Sequence, residues 1–268
     1  MRVVIAGASG RMGTALARCA QERPGVTVVG AVDRPDSPAL GRDFGELSGL
    51  HALGVPVVAA VDQVLGAADL LIDFSSPDVT ARHLRACAES GVAVLIGTTG
   101  LGADVEPAAL AAADRVPVLI ASNTSLGVAL LEALVRAAAK ALPADFDIEI
   151  VETHHRHKKD APSGTALTLG RAAAASRGRR LEDVIVPART GTGARQAGEI
   201  GFAVLRGGDV VGDHSVLFAG EAERLTLSHQ ATDRAIFARG ALRAGEWLTA
   251  QRPGRYAMSD VIGIKSIT

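Results

Sequence analysis

An apolar run, Arg2–Gly7, leads directly into Gly7-Ala8-Ser9-Gly10-Arg11-Met12-Gly13, and a helical pattern follows from Arg11 to Glu22. This order constrains the fold more than any other feature of the chain. Glycines let a backbone turn sharply and bring another group close to the main chain. A helix that starts in such a turn offers unpaired N–H groups and the positive end of its dipole, which suits a pyrophosphate. The spacing is G-x-x-G-x-x-G, a variant of the commoner G-x-G-x-x-G. A second apolar run, Val26–Asp33, ends in an acid about 20 residues after the last glycine, the place of a ribose-binding carboxylate. Gly7, Ala8, Ser9, Gly10, Arg11, Met12, Asp33 and Arg34 are therefore candidate dinucleotide contacts. Asp33 would accept from the 2′-hydroxyl of NADH and repel the 2′-phosphate of NADPH. Arg34 and Arg11 would neutralise that phosphate, so NADH and NADPH are both expected, with weak preference.

The alternation continues. Asp69–Phe74, Val92–Gly97 and Pro117–Ala121 are short apolar runs, separated by the Ala-rich helical segments Asp78–Ser90 and Ala103–Asp114. Residues 34–56 have no period and read as a long loop. Hydrophobic residues make up 48% of the chain and aromatic ones only 3%, so the core has to be built from Ala, Val, Leu and Ile. That composition suits helices packed on buried parallel strands. After a strong helix, Leu126–Leu142, the pattern changes. A strand, Asp147–Thr153, and a helix, Ser163–Ala175, precede three strand-like runs with no helix between them: Glu199–Arg206, Ser215–Ala219 and Arg224–His229. Consecutive strands without crossovers predict an antiparallel sheet and an α+β second part. Arg234–Leu248 is a last amphipathic helix, and the tail Tyr256–Ile264 is apolar enough to dock.

Several function classes are disfavoured. The formal net charge of -1 gives no basic excess for nucleic acid or a membrane surface. Cys19 and Cys87 lie far apart in Ala-rich helical stretches and read as reduced core thiols. The N-terminal apolar run is too short for a secretory signal. The longest uncharged run, Val116–Leu131, falls short of the roughly 18–20 residues that span a bilayer. A soluble cytoplasmic protein is expected.

Two strand ends add candidates to the cofactor set. Gly97, Thr98 and Thr99 end the fourth apolar run, with Thr99 also placed to meet a substrate; Ala121, Ser122, Asn123 and Thr124 end the fifth. The run Glu152-Thr153-His154-His155-Arg156-His157-Lys158-Lys159-Asp160-Ala161-Pro162-Ser163-Gly164-Thr165-Ala166 leaves a strand and enters a helix. Such a density of cations repels itself unless an anion compensates. Ser163 is a good N-cap, and Ser163, Gly164 and Thr165 open a helix whose amides suit a carboxylate. The histidines and Lys158 are natural proton donors near neutral pH. Glu152 pairs either with a histidine or with Lys158. Zinc is disfavoured, because no Cys accompanies the cluster and Arg and Lys repel a dication, so no metal is expected. These residues point to a small, doubly negative substrate.

The same run closely resembles the signature of the dihydrodipicolinate reductase (4-hydroxy-tetrahydrodipicolinate reductase) family of bacterial lysine and diaminopimelate synthesis. The resemblance extends to G-A-S-G-R-M-G near the start, I-G-T-T-G in the middle and Y-A-M-S-D-V-I-G near the end. It implies an α/β fold: a Rossmann-type dinucleotide-binding domain, residues 1–125 plus 235–268, and an α+β substrate and oligomerisation domain, residues 126–234, whose open mixed sheet builds a homotetramer. It implies His154 as the acid/base histidine and Lys158 as the proton-donating lysine. His155, with the amides of Gly164 and Thr165, would hold a substrate carboxylate. Thr124 stands where the family often has an aromatic residue, and Lys159 stands at a variable position. The implied reaction is hydride transfer from NADH or NADPH to a cyclic imine dicarboxylate. Two other classes share the plan: another two-domain small-molecule dehydrogenase, and a non-catalytic dinucleotide sensor. The first is opposed by the histidine- and lysine-rich signature, the second by His154 and Lys158 standing together at an anion-binding helix start.

Overall fold

A computed structural model of the chain describes residues 1–264. They form two compact units, one of Met1–Ser125 with Ala235–Val261, the other of Leu126–Arg234 with residues 262–264, which were expected in the first domain. The last four residues of the expected first domain, 265–268, lie outside the described residues.

The first unit is a parallel sheet of β1 (Arg2–Ala6), β2 (Thr27–Val32), β3 (Val57–Val58), β4 (Leu70–Asp73), β5 (Ala93–Ile96), β6 (Pro117–Ile120) and β12 (Gly254–Tyr256). The spatial order is β12-β6-β5-β4-β1-β2-β3. From β3 to β6 this is the doubly wound Rossmann order, which reverses between β1 and β4 and leaves the crevice for a ligand at their carboxyl ends. Helices α1 (Arg11–Gln21), α3 (Pro77–Ser90), α4 (Val105–Ala113) and α7 (Ala235–Leu248) supply the layers. Val4, Leu71 and Val94 pack with Leu84 of α3 and Ala109 of α4. On the other face Leu70 lies so close to α7 that a Cβ on Gly245 would stand 2.3 Å from it. With both faces covered, β4 and β5 are buried at every position, which is why they read as unbroken apolar runs. β12 and the short α8 (Met258–Val261) complete the unit. β12 pairs with β6 from Gly254↔Pro117 to Tyr256↔Leu119, and as a partly exposed edge of three residues it has no apolar run to announce it.

In the second unit β7 (Asp147–His154), β8 (Ile185–Val186), β9 (Ile200–Arg206), β10 (Gly212–Ala219) and β11 (Arg224–Ala231) form a mixed sheet in the order β11-β10-β7-β9-β8. The antiparallel expectation holds for β10 against β11 and β7, but not for β9, which runs parallel to β7. α6 (Gly164–Ser176) lies between β7 and β9 in the chain and acts as a crossover, so β9 returns on one side of β7 and β10 takes the other. Ile148 and Ile150 of β7, Phe202 of β9 and Phe218 of β10 share a core with Leu131 and Val135 of α5 (Leu126–Ala141) and with Leu169 and Ala173 of α6. A Cβ on Gly170 would stand 2.7 Å from the Phe202 ring, so the small residues of α6 let it lie close on the sheet. Strand β7 alternates strictly between half-exposed and buried positions, and Glu152 and His154 fall in the buried phase.

Residues 34–56, expected as a loop, are ordered around one acid and include the short helix α2 (Phe44–Leu47). Asp43 caps that helix through Glu46 N–H and also accepts from the N–H groups of Leu53, Gly54 and Val55. Chiefly the bond from Leu53 holds its pKa below the ordinary value. Asp43→Asn is expected to lower the denaturant midpoint at neutral pH, because an amide cannot accept from all four groups. A depressed carboxyl stabilises above its unfolded pKa, about 3.9, and that contribution disappears as pH falls through the lower folded value. The gap between wild type and variant in urea unfolding should therefore close only in strong acid.

Candidate active site

Four turns at the carboxyl edge of the first sheet, after β1, β2, β5 and β6, carry the dinucleotide candidates. Gly7 adopts a left-handed φ of +80°, and its N–H and that of Ala8 both donate to Val32 C=O at the end of β2. A Cβ on Gly13 would stand 2.3 Å from Gly7 O and 2.4 Å from Ala8 O, so only glycine lets α1 start this close to the turn. Gly10 caps α1 without a side-chain hydrogen bond. Asp33 accepts from Ser9 N–H through one oxygen and from Arg34 N–H through the other, each at 2.8 Å. The carboxylate is thus fixed beside the glycine turn with lone pairs to spare for a ribose. A glycine cradle, an uncapped helix start and a held acid fit a dinucleotide. The exposed Arg34 guanidinium pairs with Asp36 at 3.1 Å, and Arg11 is exposed.

At the end of β5, Gly97 lies against the Phe74 ring, which a Cβ would meet at 2.2 Å. Thr98 turns its hydroxyl inward to Asp73, whereas Thr99 is exposed. At the end of β6, Ala121 N–H donates to Ile96 C=O, Ser122 is exposed, and the Asn123 side chain accepts from Ser125 N–H. Thr124 is buried and donates to Phe237 C=O of α7 at 2.7 Å, so its side chain closes the unit rather than facing outward. The sequence reading missed the turn after β4, Phe74-Ser75-Ser76, although it follows the strand that lies between β1 and β5. Its signal is weak because it contains no glycine.

In the second unit the end of β7, the loop after it and the start of α6 gather around Glu152, which is buried. One carboxylate oxygen lies 2.5 Å from His154 Nδ1 and 2.8 Å from Arg206 Nη1. The other accepts from Ser163 N–H at 2.9 Å and Arg206 Nη2 at 3.0 Å. Burial pushes its pKa up, but Arg206, His154 and Ser163 together outweigh burial and hold it below the ordinary range. Glu152 is therefore an ion. Of the two partnerships open in the sequence, the histidine is the one formed; Lys158 Nζ pairs with Asp160 at 2.8 Å. With Nδ1 directed to a carboxylate, His154 presents Nε2 beside Gly212, where a Cβ would stand 2.9 Å away. Ser163 accepts from Ala166 N–H as the cap of α6, and its oxygen lies 3.0 Å from His214 Nε2. Burial, then the charge of His154, lowers the His214 pKa to about 4, so this ring is neutral at physiological pH. His155 is held below its ordinary value by desolvation and then by Arg234 and its cationic neighbours. Thr165 and Gly164 open α6 beside the cap, and His157, Arg156 and Lys159 are exposed.

Sequence reasoning missed Arg206 and His214. His214 could have been found, since it occupies the buried phase of β10 between Gly212 and Val216. Arg206 faces His154 only through the β7–β9 pairing, which sequence spacing does not disclose.

A Rossmann-ordered unit and a mixed-sheet unit with a histidine-rich strand end define the class as a two-domain, nicotinamide-dependent reductase. Residues 1–124 match the family "Dihydrodipicolinate reductase, N-terminus", and residues 127–262 match "Dihydrodipicolinate reductase, C-terminus". The chain is 49% identical over 265 residues to the 4-hydroxy-tetrahydrodipicolinate reductase of Anaeromyxobacter dehalogenans (strain 2CP-1), covering 98% of each. It is 52% identical over 266 residues to 4-hydroxy-tetrahydrodipicolinate reductase 1 of Mesorhizobium japonicum, covering 98% of this chain and 97% of that one. Its fold is similar to a dipicolinate-bound dihydrodipicolinate reductase from Paenisporosarcina sp. TG-14, with a TM-score of 0.77, 24% identity, and coverage of 96% and 97%. The chain belongs to the dihydrodipicolinate reductase family.

Arg206→Ala would leave Glu152 buried with one charged partner fewer. Breaking a buried pair in this way costs about 3–5 kcal/mol. The expected result is a loss of that order in urea unfolding at neutral pH; a change near zero would show that Arg206 does not compensate the buried charge.

Proposed function

We propose that the chain is a 4-hydroxy-tetrahydrodipicolinate reductase of diaminopimelate and lysine synthesis, reducing the derived cyclic imine dicarboxylate to tetrahydrodipicolinate with NADH or NADPH. The observation that carries this reading is the arrangement at the end of β7. There the charge of Glu152 holds the ring of His154, the cap of α6 and Arg206 at one point.

The first unit is read as the dinucleotide domain and the second as the substrate and oligomerisation domain. Gly7 to Met12 admit the pyrophosphate, and Asp33 and Arg34 meet the adenosine ribose. Gly97 to Thr99 and Ala121 to Thr124 line the remaining cofactor turns, Thr98 and Thr124 through their main chain because their hydroxyls are taken. Bound there, the nicotinamide supplies a hydride. His155, Gly164 and Thr165 hold the substrate carboxylates, while Ser163, whose N–H and hydroxyl are engaged by Glu152, Ala166 and His214, supports them only as the cap of α6. Negative charge that develops on the substrate ring is stabilised by this cationic surface and quenched by a proton from Lys158 Nζ or His154 Nε2. Glu152 engages Nδ1 and leaves Nε2, beside Gly212, as the remaining nitrogen of His154, and the neutral His214 adds no competing charge next to it.

The face of the second sheet opposite its helices exposes Leu205 and presents Val151 and Leu217, which supports assembly into a homotetramer. Among the described residues no helix is long and apolar enough to cross a membrane. The chemistry of a biosynthetic reductase supports a cytoplasmic location.

An assay that generates the unstable substrate in the cuvette with its synthase, and follows NADH or NADPH oxidation, tests the reading. Oxidation that depends on substrate generation is expected with either cofactor. Lys158→Ala and His154→Ala should each lower kcat by about 10²- to 10⁴-fold with cofactor affinity intact, the larger loss marking the proton donor. Near-normal turnover in both would sink the assignment. Arg34→Ala should raise KM for NADPH about tenfold while leaving NADH nearly unchanged, the effect of one lost charge-assisted contact. An equal change with both cofactors would remove Arg34 from phosphate recognition.

A further inference from the structure

The carboxyl end of β4 holds a buried acid that the dinucleotide reading leaves without a task. The side chain of Asp73 is fully shielded from solvent. In register it stands between Ala6 of β1 and Ile96 of β5, both apolar. A carboxylate at such a position is costly unless donors replace its lost hydration. Four donors surround it. One oxygen accepts from Ser75 N–H at 2.8 Å, the Ser75 hydroxyl at 2.5 Å and the Thr98 hydroxyl at 3.1 Å. The other lies 2.9 Å from Nδ1 of His83, a buried residue of α3. Burial alone would raise the pKa, but His83 and then Ser75 outweigh it and hold the group below the ordinary value.

The donors come from separate turns. Ser75 lies in the turn after β4, and Thr98 in the turn after β5. The main chain repeats the link, since Asp73 C=O accepts from Gly97 and Thr98 N–H at 2.8 and 3.1 Å. The adjoining Phe74 donates its N–H to Ala6 C=O, and its own C=O lies 2.4 Å from the point where a Cβ on Gly7 would stand. Its ring covers Gly97. Asp73 therefore anchors the turns after β4 and β5 directly, and the turn after β1 joins them through the adjoining Phe74, while the hydroxyls that reach the carboxylate are spent inward.

We propose that Asp73, paired with His83, is a positioning residue for the dinucleotide, locking the turns after β1, β4 and β5 into one cradle without touching the cofactor. This rests on the reading of the first unit as the dinucleotide domain. The cradle serves the part of the molecule that NADH and NADPH share, so loss of the anchor weakens both alike. Asp33 and Arg34 still set the ratio between them.

The test is direct binding of NADH and of NADPH to purified wild type, Asp73→Asn and Ser75→Ala, followed by fluorescence, with thermal unfolding of each. Asp73→Asn keeps the volume but removes the charge and one acceptor. Its Kd for both cofactors is expected to rise about tenfold by a common factor, as for a lost hydrogen bond to a charged group. The NADH-to-NADPH ratio and kcat at saturating cofactor should stay near wild type. A lowered melting temperature with unchanged Kd would assign Asp73 to stability alone and overturn the proposal, as would a change confined to one cofactor. If Asp73→Asn fails to fold, Ser75→Ala decides: a common rise in both Kd values supports the anchor, and unchanged values overturn it. Wild type that binds neither cofactor would take down the domain reading itself, an outcome distinct from tight binding in both variants.

Discussion

The Glu152 carboxylate carries a charge at a place solvent does not reach, and the geometry around the end of β7 follows from satisfying it. An isolated buried ion is expensive, so every lone pair needs a donor. Arg206 supplies two, His154 one and the Ser163 amide one. These bonds leave little freedom. They place the imidazole in one orientation, bring the first residue before α6 to the strand end, and draw β9 alongside β7 where its last residue is cationic. A neutral residue at 152 could fill the space, but it could not hold three separately encoded segments to one point.

The fold makes this arrangement possible through side-chain size. Few aromatic residues are available, and the two units rely on alanine and glycine to bring helices close to sheets. Gly170 sits on Phe202 and Gly245 on Leu70 with no room for a methyl group. The same closeness recurs at Gly13, where α1 starts against the carbonyls of Gly7 and Ala8. Tight packing therefore shapes both the core and the anion-facing turn, and an alanine at Gly13 would disturb the second by the same contact that disturbs the first.

The first unit was readable almost element by element, because strands buried on both faces become apolar runs and each is closed by small or polar residues. β3 and β12 were not, being only two and three residues long, and α2 was not, because Asp43 rather than a periodic pattern orders its surroundings. In the second unit the sequence placed β7, β9, β10 and β11 but not the two-residue β8, and it did not give their partners. A chain shows where a strand begins, whereas the pairing of β9 with β7 depends on the crossover made by α6. That same pairing hid Arg206, whose role exists only opposite His154. The cluster from His154 to Thr165 was visible because it is continuous. Its supports lie on other strands, where only His214 left a sign, in the buried phase of β10, and Glu152 could be read only as an acid in need of a partner.

The density of cations after β7 becomes intelligible once their surroundings are separated. The inner positions carry little net charge. Glu152 offsets Arg206, and His214 is neutral because burial and the neighbouring His154 lower its pKa to about 4. Lys158 is tethered to Asp160, itself largely exposed, so the pair is weakly held and screened by water. The remaining charge, on Arg156 and Lys159, is solvated. A dianion arriving at this surface would thus meet a small number of cations already oriented and a larger number able to rearrange. Recognition of two carboxylates then does not require burying many like charges together, which would oppose folding before any substrate arrived. A chain with a net charge of -1 can carry such a site because compensation is local, residue by residue, rather than spread over the molecule.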